Sequence, residues 1–179
     1  VISCGCYFKN QTTQEDFYNL IGDSKKLSEK KRKVSFKFLQ NLKKEGIIDY
    51  HLGIATVEEI DKLNILEATK LSMKRVVDKF NLQSAQLIID GNFSLNYKSY
   101  KEQSVIKGDD KSLSIAAASI IAKVHRDRLM KKLSIRHQQF GWEKNAGYGT
   151  KVHIENIYRL GPTIHHRKTF EPIKSLIHS

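Results

Sequence analysis

The chain has 179 residues, which suits one compact domain with a sizeable core and is too short for two ordinary domains. Its 31 Lys and Arg residues outnumber 19 Asp and Glu residues, so the formal net charge is +12 at pH 7. This excess favours a polyanionic partner, with nucleic acid as the first candidate. A basic protein without such a partner remains the alternative, because net charge bears on binding and not on fold.

The sequence also argues against a secreted or membrane protein. It has two cysteines, no signal peptide and no apolar stretch long enough to cross a bilayer, so we expect a reducing, cytoplasmic setting. Cys4 and Cys6 stand two apart in an apolar run, so in a strand both point to one face and pack as small hydrophobic side chains. The first residue is Val1, inside a predicted strand, and we therefore expect that a segment precedes it.

The first half of the chain alternates predicted strands and helices. An apolar, β-branched run at 1–8 predicts a strand, and 47–56 resembles a second one. Between them, Ser28 can cap a helix that Gly46 ends. Two short segments that follow are predicted to be helical, the first with an acidic first turn that suits the helix dipole, at 57–64 and 65–80.

In the second half, the apolar run 86–91 predicts a buried strand that delivers Asp90 at its carboxyl end. Loops and turns are expected at 92–112, and the alanine-rich stretch 114–135 predicts a long central helix. Strands that alternate with helices predict a single α/β domain over 1–179 with a mixed sheet.

Two sets of carboxylates stand where a metal ion can be held. Asp90 ends a predicted strand before Gly91, and Asp109 and Asp110 stand together ahead of the long helix. Carboxylates at strand ends and adjoining helix starts can converge on a hard divalent cation, for which Mg²⁺ is the natural occupant. Spacing alone does not settle this, because Asp-Gly also suits a plain turn and an acidic pair also suits the approach to a helix.

Longer strings in the sequence resemble the ribonuclease HII family, the type 2 ribonucleases H. Five motifs occur in the family's order and cover nearly the whole chain, so the match is far more specific than any one of them. In chain order they are Asp23-Ser24-Lys25-Lys26-Leu27-Ser28, Ile89-Asp90-Gly91-Asn92, the run from Lys107-Gly108-Asp109 through Ala116-Ala117-Ala118-Ser119 to Arg126-Asp127-Arg128, Gly147-Tyr148-Gly149-Thr150, and His166-Arg167-Lys168-Thr169-Phe170. The resemblance implies a ribonuclease H-like α/β fold, a mixed β-sheet flanked by helices.

The resemblance also implies an active site in which four acidic residues hold two metal ions, Mg²⁺ or Mn²⁺. Asp90 matches the family's carboxylate at the strand end, and Asp109 matches the one in its Lys-Gly-Asp motif. Asp110 and Asp127 are near misses, because a chain neighbour points elsewhere and Asp127 lies among Arg and Lys residues that can pair with it. We therefore expect Asp90 and Asp109 to be the catalytic metal ligands.

The sequence departs from the family at its start. The family's first strand carries an Asp-Glu-Ala-Gly-Arg-Gly motif, which provides the other two carboxylates and a glycine-rich turn that grips the ribose. Here no acidic residue precedes Glu15, and the pair Glu15-Asp16 reverses the order and lacks the glycines. Val1 resembles the start of the family's second strand, so we expect the first strand to be missing. The chain as given would then contain two of the four carboxylates that bind the metal ions.

Several polar residues fit contacts to the backbone of a duplex. Lys25 and Lys26 precede a helix start, and Lys107, Ser119 and Lys123 lie close in sequence to the expected ligand Asp109. Each lysine can equally be a solvated surface charge, and Ser119 can simply pack against its neighbouring alanines.

Two later motifs are also candidates for substrate contact. Tyr148, between Gly147 and Gly149, resembles the tyrosine that the family places against the nucleotide sugar at an RNA–DNA junction; a core or lid aromatic residue is the alternative. His166 and Arg167 belong to a basic cluster in which a histidine can contact phosphate or move a proton, unless its role is structural.

The resemblance implies an endonuclease that cleaves the RNA strand of RNA–DNA hybrids. It also implies nicking of duplex DNA on the 5′ side of an embedded ribonucleotide, with 5′-phosphate and 3′-hydroxyl products. The partners of the protein would be RNA–DNA hybrids and DNA duplexes that contain ribonucleotides. We expect no association with a membrane, and we expect a monomer. Two other classes stay open: a binding module of the same fold that does not cut because two carboxylates are absent, and a basic structural protein in which Asp90 and Asp109 are only turn residues.

Overall fold

The computed structural model describes residues 1–9, 21, 27–82 and 85–178. These residues form two compact units. The sheet unit comprises the described residues within 2–54 and 70–124, and the helical unit comprises those within 1, 55–69 and 125–179. The expectation of one domain over the whole chain stays a prediction.

Four strands and seven α-helices are formed by the described residues. The strands are β1 (Ile2–Phe8), β2 (Ile48–Ile54), β3 (Gln86–Asp90) and β4 (Lys101–Val105). The helices are α1 (Glu29–Lys44), α2 (Val57–Leu63), α3 (Ile65–Val77), α4 (Leu113–Arg136), α5 (Trp142–Asn145), α6 (Lys151–Leu160) and α7 (Ile173–His178). Two 3₁₀ turns, Gly108–Asp110 and Gln138–Phe140, join them.

The strands pair in both senses, which confirms the predicted α/β class. β1 and β2 run antiparallel, with Ile2 opposite Ile54 and Phe8 opposite Ile48. β3 and β4 run parallel, with Asp90 opposite Val105 at their carboxyl ends. In the part of the chain that the structure describes, these pairs are two separate two-stranded sheets.

Strand β4 corrects one prediction, because it lies inside the segment 92–112 that we expected to be loops and turns. Its sequence Lys-Glu-Gln-Ser-Val has no apolar alternation, and its side chains are exposed or half-buried. The strand exists because its backbone pairs with β3. Pairing between backbones leaves no hydrophobic period in the sequence, so the usual signal is missing.

The core of the sheet unit forms where α1 packs against β2 and the first half of α4. Ser28 caps α1 as predicted, accepting a hydrogen bond of 3.3 Å from the backbone N–H of Lys31. The buried side chains of this core include Phe36, Leu39, Ile48, Ala116, Ala117, Ile120 and Ile121. Ala116 and Ala117 belong to the predicted long helix and are almost fully buried among these larger side chains.

The two cysteines of β1 pack as the sequence predicted. Cys4 and Cys6 are reduced thiols on β1 and pack against the core of the sheet unit. Burial raises the pKa of Cys6 to about 12 and that of Cys4 still further. Neither thiol is therefore ionised near neutral pH, which suits small hydrophobic side chains and not metal ligands.

Helix α3 lies very close to strand β2. A Cβ atom added to Gly53 would overlap the backbone carbonyl oxygen of Ser72 and lie 2.9 Å from a methyl group of Val76. The Ser72 hydroxyl also lies 2.5 Å from the hydroxyl of Ser3 on β1. A glycine at position 53 is what allows this approach.

The helical unit has its own cores. Phe140, Trp142, Ile157 and Ile173 are buried together against α4, and Ala55, Ile60 and Ala68 form a smaller cluster at α2. Helix α2 begins with the capping box of Thr56 and Glu59, in keeping with its predicted acidic first turn. No helix within the described residues is long and apolar enough to cross a membrane.

Candidate functional site

The predicted carboxylates Asp90 and Asp109 lie at one end of the β3–β4 pair. Asp90 is the last residue of β3, and the parallel partner β4 leads through Lys107 into the 3₁₀ turn that contains Asp109. The carboxyl ends of parallel strands meet at the same edge of a sheet, so both aspartates are delivered to one place. The backbone N–H of Gly108 donates a hydrogen bond of 2.9 Å to Oδ1 of Asp90, which ties the strand end to the turn.

The structure separates the two adjacent aspartates of the turn. The Asp109 side chain is buried, with 4% of its surface exposed, whereas Asp110 is exposed. Asp109, and not its neighbour, is therefore the residue shielded from solvent, and its role as a metal ligand stays a prediction. A carboxylate is costly to bury unless it is paired or coordinates a cation, so the orientation of Asp109 is compatible with a metal ligand.

Gly108 leaves room beside the Asp90 carboxylate and the Ile115 side chain. A Cβ atom at this position would lie 3.3 Å from Oδ1 of Asp90 and would overlap the end of the Ile115 side chain on α4. Since Ile115 is itself buried, a larger residue would displace either the helix side chain or the carboxylate. The Lys-Gly-Asp motif therefore needs its glycine for packing as well as for chain direction.

The donor chemistry of this corner fits a hard divalent cation. Carboxylate oxygens are the preferred ligands of Mg²⁺ and Mn²⁺. Asp90 and Asp109 supply two such groups, although no cluster of three or more His, Cys, Asp or Glu residues able to hold a metal occurs among the described residues. The two residues thus fit part of the ligand set that the sequence resemblance implies.

The predicted polar contacts near the carboxylates differ in how well they are placed. Ser119 and Lys123 lie four and eight residues after Ile115 on α4, so all three share the helix face that begins beneath Gly108. Both side chains are half-buried, and Lys107 is exposed with its backbone in the left-handed region at φ 55°.

Asp127 lies on α4 next to Arg126, whereas the predicted phosphate contacts Lys25 and Lys26 come earlier in the chain. Lys25 and Lys26 lie outside the described residues. Asp127, which we did not expect to bind metal, accepts hydrogen bonds of 3.0 and 2.8 Å from the guanidinium of Arg126. That pairing is the structural role that the sequence suggested for it.

Tyr148 presents its ring to solvent on the helical unit. The side chain is 65% exposed, and the guanidinium carbon of Arg126 lies 5.9 Å from the ring centre. The preceding Gly147 has φ +86°, a conformation that favours glycine. An exposed aromatic ring beside a cation suits contact with a nucleotide and not the role of a core residue, whereas the alternative of a lid residue stays open.

His166 is placed differently from the solvent-facing basic cluster that we expected. Its side chain is 7% exposed, and hydrogen bonds engage both ring nitrogens. Burial, together with the neighbouring His153, lowers the pKa of His166 to about 4, so the ring is neutral at pH 7. The interpretation of His166 as a phosphate contact is therefore replaced by the structural role left open above.

Arg167 is half-buried beside this histidine. Its guanidinium stacks 3.5 Å from the centre of the Phe170 ring, and burial lowers its pKa from the ordinary value of arginine. Asp61 holds the next turn, because its carboxylate accepts backbone hydrogen bonds of 2.9 Å from Lys168 and 3.0 Å from Thr169. Sequence reasoning missed Asp61, which lies more than a hundred residues away along the chain.

His153 was also missed. It lies on α6 four residues before the buried Ile157, and this spacing on an apolar helix face is the one sequence signal that could have pointed to it. Its Nε2 atom contacts Nε2 of His166 at 3.1 Å, and its Nδ1 atom lies 2.9 Å from the backbone oxygen of Tyr148.

Comparison with known proteins places this arrangement in a family. The family model of ribonuclease HII matches residues 1–172. The ribonuclease HII of Wolbachia pipientis subsp. Culex pipiens is 47% identical over 176 residues, which are 98% of this chain and 85% of that protein. That of Pelagibacter ubique is 46% identical, over 88% of this chain and 82% of the relative.

Solved structures agree at the level of the fold. The ribonuclease H2 of Pyrococcus horikoshii superimposes with a TM-score of 0.74 at 21% identity, covering 99% of this chain and 98% of that one. A chain of the PCNA:RNase HII complex from Archaeoglobus fulgidus gives the same TM-score of 0.74 at 21% identity, covering 95% and 87%. With the family model matched over nearly its whole length, this chain belongs to the ribonuclease HII family.

Proposed function

We propose that this chain cleaves the RNA strand of RNA–DNA hybrids and nicks duplex DNA on the 5′ side of embedded ribonucleotides, leaving 5′-phosphate and 3′-hydroxyl ends. As a member of the ribonuclease HII family, it is an endoribonuclease, a hydrolase of phosphodiester bonds. The observation that carries the proposal is the corner where Gly108 ties Asp90 to the turn of Asp109, inside a chain that matches the family over residues 1–172. Family membership disfavours the alternative of a binding module that does not cut.

Asp90 and Asp109 are proposed to hold divalent ions, Mg²⁺ or Mn²⁺, in a two-metal site. When bound, such ions activate water for attack and stabilise the charge that develops on the phosphate and on the leaving oxygen. The chain itself fixes the direction of Asp90 through the N–H of Gly108 and keeps Asp109 turned inward. Preorganised carboxylates need no rearrangement when the cation arrives.

The basic residues are proposed to position the duplex without reading its sequence. Lys107 and the α4 pair Ser119 and Lys123 would contact phosphates near the carboxylates, with Lys25 and Lys26 as further phosphate contacts. Arg167 is a weaker candidate, because its guanidinium already stacks on Phe170.

Tyr148 is proposed to contact the sugar at the RNA–DNA junction. Its exposed ring suits this contact, and the 2′-hydroxyl is the group that distinguishes a ribonucleotide from its neighbours. We further propose that the protein acts as a cytoplasmic monomer in the removal of misincorporated ribonucleotides.

The test is metal-dependent nicking of a DNA duplex that contains one ribonucleotide. The 179-residue chain is assayed with Mg²⁺ or Mn²⁺, beside a version preceded by the family's Asp-Glu-Ala-Gly-Arg-Gly strand. In whichever version cuts, Asp90→Asn and Asp109→Asn should each lower the rate at least about 100-fold, since even supporting groups of metal sites cost 10–100-fold.

Asp110→Asn is the matched control, because it removes an adjacent but exposed carboxylate and should leave the rate within about threefold. If neither version cuts although both bind the duplex, the protein is a binding module. If Asp90→Asn leaves cleavage untouched, Asp90 is only a turn residue.

A further inference from the structure

Two buried histidine rings of the helical unit contact each other directly. His153 and His166 are 4% and 7% exposed, and their Nε2 atoms are 3.1 Å apart. One nitrogen of this pair must donate and the other must accept, so the contact requires opposite tautomers if both rings are neutral. The groups around the pair determine which tautomer each ring adopts.

The tautomer of His166 follows from Thr163. The backbone N–H of Thr163 lies 3.0 Å from Nδ1 of His166, and the Thr163 hydroxyl lies 2.9 Å from the same atom. A backbone N–H can only donate, so Nδ1 is the unprotonated acceptor. The proton of the neutral His166 ring is therefore on Nε2, which faces His153.

The tautomer of His153 follows from Trp142. The indole N–H of Trp142 lies 3.2 Å from Nε2 of His153 and can only donate. The proton of the neutral His153 ring is then on Nδ1, which lies 2.9 Å from the backbone oxygen of Tyr148. The two rings were assigned from different neighbours, and they meet as a donor and an acceptor. The one lone pair on Nε2 of His153 is shared between the indole N–H of Trp142 and the N–H of His166.

We propose that this chain of hydrogen bonds, from Thr163 through His166 and His153 to the Tyr148 carbonyl, positions Tyr148 for recognition of the ribose. His153 is thus a positioning residue: its donor anchors the backbone of a tyrosine whose ring is exposed. The proposal rests on the proposed function, in which Tyr148 contacts the sugar. Tyr148 stands between two glycines, the first at φ +86°, where the backbone has few steric limits. Its N–H donates to the Asn145 carbonyl and its carbonyl accepts from the Thr150 N–H, both at 2.8 Å, so His153 adds a side-chain donor to local backbone contacts.

The chain of hydrogen bonds works only while both rings are neutral. A second proton on His166 would point at the N–H of Thr163, and one on His153 would point at the indole N–H of Trp142. The other titratable rings near the pair are His137 and His165, whose charges would also oppose protonation. The low pKa of His166 agrees with this arrangement.

The first test does not depend on cleavage. Two-bond ¹H–¹⁵N correlation spectra of the imidazole rings at pH 7 should show His166 protonated on Nε2 alone and His153 protonated on Nδ1 alone. A cationic ring at pH 7, or the reverse tautomer at either residue, overturns the proposal. Because no substrate is present, this result stands whether or not the protein proves to be a nuclease.

The second test uses two matched variants of His153. In His153→Asn the side-chain amide can replace the Nδ1 donor to Tyr148, whereas in His153→Gln the amide oxygen can replace the Nε2 acceptor and the Nδ1 donor is lost. The readout is the ratio of Kd for an all-DNA duplex to Kd for the same duplex with one ribonucleotide. We expect His153→Gln to lower this ratio about tenfold, as loss of an aromatic contact would, and His153→Asn to keep it within about threefold.

Combination with Tyr148→Ala separates positioning from general stability. If His153 acts through the tyrosine, His153→Gln should have no further effect on the ratio in the Tyr148→Ala background. Effects that add, or a ratio that falls equally in the Asn and Gln variants, overturn the proposal. If the wild-type chain binds the ribonucleotide duplex without cutting it, the proposed nuclease activity fails while the positioning role is still measured.

Discussion

Acidification should destabilise the protein through His166. The ordinary pKa of 6.5 falls to about 4 in the folded state, first because the ring is buried and second because His153 is adjacent. In the unfolded chain the His166 ring therefore binds a proton below pH 6.5, whereas in the folded chain it does so only below about pH 4. The stabilisation is complete above pH 6.5 and is lost as the pH falls towards 4. At pH 5 the 1.5 units below 6.5, at about 1.36 kcal/mol each, correspond to about 2 kcal/mol.

The assay is urea denaturation of the wild type and of His166→Gln at pH 7 and pH 5. Glutamine can keep the donor to His153 but does not titrate, and all other titrating groups are common to both proteins. The variant should be less stable at pH 7, because the N–H of Thr163 loses its acceptor. The stability difference between the two proteins should shrink by about 2 kcal/mol at pH 5. An unchanged difference would refute the assignment of a buried, neutral His166.

Close packing at Gly53, the turns at Gly108 and Lys168, and the binding of a duplex can each be tested separately. Gly53→Ala should cost at least about 3 kcal/mol in thermal unfolding, because its Cβ overlaps the Ser72 carbonyl, whereas Gly149→Ala, whose Cβ has only ordinary contacts, should cost under about 1 kcal/mol. Gly108→Ala should lower cation-dependent cleavage at least about tenfold and raise the metal concentration needed, as expected for a supporting group of a metal site. Asp61→Asn should lower the free energy of unfolding by about 1–2 kcal/mol, measured in urea. The substitution replaces one of the two carboxylate oxygens that accept from the backbone N–H groups of Lys168 and Thr169. Duplex affinity, measured by fluorescence anisotropy, should fall with salt at a log–log slope of about −0.9 per phosphate contact, and a flat response would exclude the lysine contacts.

The elements predicted correctly are those whose signals are local. Ser28 caps its helix because a side chain three residues from a free N–H can reach it whatever the rest of the chain does. The predicted acidic first turn at 57–64 is present, and its Glu59 forms a capping box with Thr56 that was not predicted. The apolar run before Asp90 forms a strand as predicted, because its residues suit an extended segment. The predicted burial of the strand was wrong, since Ile89 is its one buried residue. The choice of Asp109 over Asp110 followed from the motif; the burial of Asp109 and the exposure of Asp110 are compatible with it, and the metal-ligand role stays a prediction.

The elements that were missed depend on partners far away in sequence. Strand β4 is polar, and its conformation comes from pairing with β3, about fifteen residues earlier. The turn at Lys168 is held by Asp61, whose carboxylate carries no signal that distinguishes it from a surface charge. Periodicity and capping rules describe a segment by itself, so contacts of this kind lie beyond them.

The histidines show why a basic string in a sequence is weak support for a basic surface. His165-His166-Arg167 suggested phosphate contact because each residue can be a cation, but the charge of a histidine depends on the groups around it. Thr163 donates to His166 and Trp142 donates to His153, and each donor excludes a proton from the nitrogen that it faces. A neutral ring accepts a hydrogen bond on one nitrogen and donates one from the other, so it can link a donor group to an acceptor group. A charged ring donates from both nitrogens and cannot make this link. If the orientation of Tyr148 depends on this chain of hydrogen bonds, His166 contributes to ribonucleotide recognition because it is neutral. The basic string around it in the sequence had instead indicated a positive charge.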